Sequence, residues 1–232
     1  MSPKKGLNEE FILERKFMKL KQDYQRMLDQ LLTEIRHSNK RPSLLLHSCC
    51  APCSSYVLEY LAPYFAITVF FFNPNIHPDE EYRRRKSEQQ DFLTRIASTL
   101  GNRISFLASD IDRESSTLLF QQVANGLEQE PEGGKRCYGC YHLRLNETAK
   151  RASLEGFQYF TTTLSISPLK NATWLHEIGL QLQTEYSTSY LPADFKKRDG
   201  FKRSLRLSKE YNLYRQKYCG CSYSVRSEDH KF

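Results

Sequence analysis

Four short apolar runs, each followed by a helical pattern, constrain the fold of this chain more than any other feature. They are "SLLLHS" at 43–48, "AITVFFFNP" at 66–74, "RISFLAS" at 103–109 and "FQYFTTTL" at 157–164. Their nearly continuous apolar character is that of strands covered on both faces. Helical patterns stand between and after them, at 54–64, from Asp79 to Leu100, at 113–126, up to Leu154, and from Pro168 to Leu182. This alternation suits right-handed crossovers, so the expected fold is α/β, a doubly wound and mostly parallel sheet. Upstream, Phe17, Leu20, Tyr24, Leu28, Leu31 and Ile35 recur at three- and four-residue steps and predict one helix over 8–37, which "HSNKRPS" ends. The expected division is an N-terminal helical extension over 1–42 and an α/β domain over 43–232. A length of 232 residues suffices for one well-buried domain with such an appendage.

No window approaches the apolar length of a membrane span, and the charged N-terminus lacks a signal core. A cytoplasmic location is therefore expected, where thiols are kept reduced and clustered cysteines serve metals or redox chemistry. The seven cysteines form three groups: Cys49, Cys50 and Cys53; Cys137 and Cys140; Cys219 and Cys221. Two Cys-x-x-Cys turns can complete a four-sulfur site for zinc or an iron–sulfur cluster. Cys137 and Cys140 supply one pair, and the spacing leaves the other open between Cys50 with Cys53 and Cys49 with Cys50. The "CGC" pair differs in kind: a disulfide across one residue closes a small, easily reduced ring, and Gly220 provides the backbone freedom it needs. It reads as a reversible dithiol, with further zinc ligation as the rival. A nucleotide-binding α/β enzyme would place a glycine-rich turn after the first strand. Here no glycine occurs between Gly6 and Gly101, and cysteines occupy that turn, which argues against ATP use.

Six segments, "LHSCCAPCS", "FFNPNIHPDEEY", "RCYGCYHLRL", "FTTTLSISPLKN", "ADFKKRDG" and "LYRQKYCGC", resemble those of the QueH-type epoxyqueuosine reductases, in order, from about Leu44 to Ser222. The resemblance implies an adenine-nucleotide-hydrolase-like (HUP-like) fold and the cobalamin-independent reduction of epoxyqueuosine to queuosine at the wobble position of tRNA. It implies a 4Fe–4S cluster on Cys49, Cys50, Cys137 and Cys140, a redox pair in Cys219 and Cys221, an additional iron, and an electron donor that the sequence does not identify. Cys53 is left with three roles open: replacing Cys49, binding the extra metal, or packing beside the cluster.

The net charge of +7 is concentrated in residues 196–217, where nine Lys or Arg face only Asp199 and Glu210. Phe195, Phe201, Tyr211, Tyr214 and Tyr218 run through and beside this stretch. A basic stripe with planar side chains suits single-stranded RNA, and a solvated helix face is its ordinary alternative. The resemblance favours the former, with Lys197, Arg198 and Arg203 as candidate tRNA contacts. Epoxide removal also needs an acid, and Asp194, Glu81, His47 and His142 lie in or beside the matching segments. Two rivals remain at this point: a cluster-dependent tRNA thiolase, and a non-catalytic zinc protein that binds RNA.

Overall fold

The computed structural model describes residues 24–101 and 104–224. Among these, five parallel strands form one sheet: β1 (Ser43–His47), β2 (Ala66–Phe71), β3 (Ile104–Ala108), β4 (Tyr159–Thr162) and β5 (Ser189–Tyr190). Their spatial order is β3-β2-β1-β4-β5. The seven α-helices described are α1 (Tyr24–Ser38), α2 (Ala51–Leu61), α3 (Asp79–Leu100), α4 (Arg113–Ala124), α5 (Lys135–Leu154), α6 (Ala172–Leu182) and α7 (Gly200–Glu210). None of them is long and apolar enough to cross a membrane.

Side-chain alternation along β1 divides the core. Leu44 and Leu46 join Val57 and Leu58 of α2, Phe92 and Ile96 of α3, and Leu28 and Leu32 of α1. Leu45 points the other way and joins Phe70, Phe160, Leu145 of α5 and Ile178 of α6. Helices therefore cover both faces, and the doubly wound expectation holds. β1 lies between β2 and β4, with Leu45 in register with Thr68 on one side and Phe160 on the other. The chain leaves β1 toward β2 and leaves β4 toward β5, so a crevice opens between the carboxyl ends of β1 and β4. That switch point is where α/β sheets place their ligands.

The described part of the predicted N-terminal helix is α1; residues 8–23 of that expectation lie outside the described residues. Leu28, Leu32 and Ile35 recur on one face and are buried in the same cluster as the sheet. Burying each is worth about 1.5–3 kcal/mol. Tyr24 stacks on His176 of α6 with ring centroids 3.7 Å apart, and Arg36 donates to the Tyr64 hydroxyl at 2.8 Å.

Two elements depart from the sequence reading. β5 is only two residues long, too short to leave a periodic signal. α7 was read as a charged stretch. Its buried face is Gly200, Ser204, Leu207 and Ser208, and the small residues among them let it lie close against α2.

Candidate functional site

The first strand runs straight into the site. Beyond His47, the Ser48 amide still bonds the Phe70 carbonyl at 2.9 Å, and Asn73 Nδ2 donates to the Ser48 carbonyl at 2.9 Å. That fixed turn presents Cys49, then Cys50 at the N-cap of α2 with extended backbone. The helix starts at Ala51, earlier than the apolar pattern indicated, because Pro52 is well tolerated in a first turn. Cys53 consequently lies within the first turn. Cys49 Sγ and Cys50 Sγ are 3.7 Å apart, and the sulfurs of Cys49, Cys50 and Cys53 all lie within 4.8 Å of one another. Three soft donors converging at a helix N-terminus, where the dipole favours negative charge, can hold a metal ion.

Cations are buried around these sulfurs. Arg144 of α5, 1% exposed, directs Nε to His47 Nε2 at 3.2 Å and an NH2 group to Asn73 Oδ1 at 2.5 Å. Among the described residues it has no carboxylate partner, and the charges that favour its ionised form are Cys140, Cys49 and Cys219. Arg85 of α3 is equally buried but is paired with Glu81 at 2.6 Å. Gln216 Nε2 donates to Cys50 Sγ at 3.0 Å. Contacts with Cys50 and Cys53 pull the Cys49 thiol well below its ordinary range, and Arg144 and His47 add to this against the effect of burial. Cys50 is pushed up to about 12 by its contact with Cys49 and by burial. The first negative charge therefore resides on Cys49. Burial and then Arg144 lower His47 to about 3, so its ring is neutral at physiological pH.

The other two cysteine groups come from α5 and the C-terminal loop. Cys137 and Cys140 lie one turn apart at the start of α5, and Cys137 packs in the same apolar cluster as Cys49 and Cys50. They stand outside the tight group of three sulfurs. Burial pushes the Cys140 thiol up to about 12. Cys219 and Cys221 are both free thiols. The loop that carries them is held by its main chain: Arg85 donates to the carbonyls of Tyr218 at 3.2 Å and Cys219 at 3.0 Å, and the His77 amide donates to the Gly220 carbonyl at 2.8 Å. Gly220 has φ +112, and a side chain there would approach Ile76 Cγ1 at 2.9 Å. A cavity of about 210 Å³ lies between the first group and the C-terminal loop, lined by Cys49, Cys53, Arg144, Lys170, Gln216 and Cys219 among others.

Comparison with known proteins fits this arrangement. The sequence model of one family, epoxyqueuosine reductase QueH, matches residues 44–227. The chain belongs to that family. It is 43% identical to the epoxyqueuosine reductase QueH of Streptococcus pyogenes over 206 residues, 89% of this chain and 79% of the relative. It is 39% identical to that of Staphylococcus epidermidis over 208 residues, 89% and 86% of the two chains. With the QueH protein of Thermotoga maritima it shares 32% over 193 residues, 81% of this chain and 94% of the relative.

Within this QueH chain, Arg198 and Arg203 are engaged internally. Arg198 pairs with Asp29 of α1 and remains 58% exposed, while Arg203 binds Glu59 of α2 and Glu210. Lys197 is exposed beside them. Of the four candidate acids, none lines the cavity. Asp194 pairs with Lys196 at 2.8 Å, Glu81 is held by Arg85, and His47 is a hydrogen-bonded core residue. Arg144, Lys170 and Gln216 were missed. Arg144 had a readable signal, since it follows Cys140 by four residues on one helix face. Lys170 and Gln216 lie outside regular elements, and nothing in spacing marks them.

Proposed function

We propose that this QueH-family chain reduces epoxyqueuosine to queuosine in tRNA, with a 4Fe–4S cluster and the Cys219–Cys221 dithiol as its redox groups. Cys49, Cys50, Cys137 and Cys140 would hold the cluster, which when bound supplies one-electron transfer. Cys53, in contact with Cys49 and Cys50, is the sulfur left to meet an additional iron. The substrate nucleoside lies in a single-stranded loop and can be splayed out of its stack into the cavity. Reduced thiols and a tRNA substrate fit a cytoplasmic setting, and the electron donor is a separate partner.

The observation that carries this reading is Arg144. A buried guanidinium without a carboxylate is costly unless another negative charge compensates it. Its charged neighbours are sulfurs from all three cysteine groups, Cys140, Cys49 and Cys219. A thiolate-ligated iron–sulfur cluster is anionic and would supply the missing charge. The buried hydroxyl of Tyr141 and Oε1 of Gln216 have no hydrogen-bond partner among the described residues, which also fits a group with acceptor and donor needs of its own. The donors are soft thiols, as such a cluster requires.

The chain's residues then divide the work. Arg144 and Arg85 hold charge at the sulfurs, and Gln216 orients Cys50. The C-terminal loop brings Cys219 to the cavity wall. Cys219 and Cys221 together can provide two electrons by closing a disulfide. The test is anaerobic purification with iron and acid-labile sulfide analysis, followed by deoxygenation of epoxyqueuosine-containing tRNA. About four irons with matching sulfide, and formation of queuosine, are expected. A colourless protein with one zinc and no turnover would overturn the proposal.

A further inference from the structure

Turning an epoxide oxygen into water takes two protons as well as two electrons, so a donor must reach the cavity. The cavity wall contains a buried ammonium, Lys170, 8% exposed. Its Nζ donates to Cys219 Sγ at 3.1 Å and to Glu132 Oε1 at 3.0 Å. Its backbone is set by a turn, the Lys170 amide bonding the Ser167 carbonyl at 3.2 Å, and the next residue, Asn171, caps α6. The position is therefore fixed by the fold.

The two sulfurs of the C-terminal loop face different surroundings. Cys219 lines the cavity with Lys170 and Glu132. Cys221 is buried against Phe120, Ala124 and Cys140 and does not line it. The Lys170 ammonium touches Cys219, the sulfur of the pair that faces the cavity.

We propose that Lys170, held by Glu132 and Cys219, is the proton donor of the reduction, giving its proton to the substrate oxygen and taking another from Cys219 as Cys221 closes the disulfide. This rests on the dithiol reading above. The balance is complete: the Cys219–Cys221 dithiol and the epoxide give a disulfide, an alkene and water, with Lys170 returned to its ammonium form. The S–S bond forms and both C–O bonds break. The sulfurs lose two electrons, the two carbons gain them, and the protons of water come from the two thiols, that of Cys219 by way of Lys170.

Burial acts to lower Lys170, but Cys219, Tyr141 and Glu132 outweigh it and raise the ammonium above its ordinary range, so Lys170 enters the reaction protonated.

The experiment uses the reduced, iron-loaded protein and its Lys170→Met and Lys170→Arg variants, matched for iron content and melting temperature. Alkylation of Cys219 and Cys221 by iodoacetamide is followed by peptide mass spectrometry before and after turnover, and single-turnover reduction is measured on epoxyqueuosine-containing tRNA. After turnover by the parent both thiols should resist alkylation, as a disulfide does. Turnover should fall about 10²–10⁴-fold in Lys170→Met, the usual worth of a general acid, and also in Lys170→Arg, because guanidinium does not release its proton. If Lys170→Met folds poorly, Lys170→Gln takes its place, with the same fall in turnover expected. Unchanged turnover in these variants overturns the proposal. Turnover by the parent without a Cys219–Cys221 disulfide would instead remove the dithiol reading beneath it.

Discussion

Replacing Arg144 by Met should affect the iron-loaded and iron-free proteins in opposite senses. In the iron-free protein a buried cation is removed, a change often worth about 1–4 kcal/mol in stability when an apolar side chain fills the space. Against that, Asn73 Oδ1 loses the NH2 donor that reaches it at 2.5 Å, and an unsatisfied buried acceptor costs about 1–3 kcal/mol. The two terms nearly cancel, so the iron-free variant should unfold within about 1.5 kcal/mol of its parent. In the iron-loaded protein, on the proposed function, the missing charge would have faced an anionic cluster. A unit charge about 4 Å away is worth about 4 kcal/mol at an effective dielectric of about 20. At 1.4 kcal/mol per decade, the variant should lose iron to a competing chelator with about 10²–10³-fold weaker affinity. The assay is chelator competition followed by absorbance, with denaturant unfolding of both forms. Equal resistance to chelation in parent and variant would refute the argument. So would a loss of several kcal/mol in the iron-free form, since Arg144 would then be compensated by its polar neighbours alone.

His176 should make the fold acid-sensitive. Burial, then Lys196 and Lys197, lower it to about 3, so between pH 6.5 and 3 the unfolded chain binds a proton that the folded chain excludes, and stability falls as pH falls. At pH 5.5 this costs about 1.4 kcal/mol relative to pH 7.5, and in a His176→Phe variant the difference in urea unfolding between the two pH values should shrink by that amount, His47, also lowered to about 3, keeping its own share. Gly220→Ala forces a left-handed backbone and a 2.9 Å contact with Ile76 on a side chain; about 1–3 kcal/mol of destabilisation is expected, read as a melting temperature several degrees lower. For the basic face, Lys197→Ala and Arg198→Ala should weaken tRNA binding, each lost phosphate contact reducing the salt slope by about 0.7–0.9. Arg203→Ala should weaken it less, because Glu59 and Glu210 already hold that guanidinium. Unchanged affinity in all three would remove this surface from the tRNA interface.

Much of the molecule was readable before any coordinates. β1 and β2 announce themselves because strands covered on both faces carry long apolar runs, while β3 at the sheet edge and β4 are marked by shorter ones. Their placement of Cys49 and Cys50 at a strand end follows from the same pattern. α7 was harder: its apolar residues Phe201, Leu205 and Leu207 are interleaved with Gly200, Ser204 and Ser208 and set among many charges, although a close approach to α2 is what those small residues permit. β5 is held by pairing with β4, through Tyr159 opposite Ser189 and Phe160 opposite Tyr190, not by any property of its own two residues. At the site, the metal-type residues could be named from their spacing, but the charges that surround them could not. Lys170 and Cys219 are 49 positions apart, and only the folded turn before α6 brings the ammonium to that sulfur.

The loop bearing Cys219, Gly220 and Cys221 has a property that follows from how it is tied. Three consecutive carbonyls, of Tyr218, Cys219 and Gly220, are each gripped by a donor from α3 or the segment before it. With the peptide units anchored, the two thiols can change their bonding only by turning about their own side-chain torsions. A disulfide closed between them, as proposed, would then need no hinge or lid, so tRNA would meet the same surface before and after it forms.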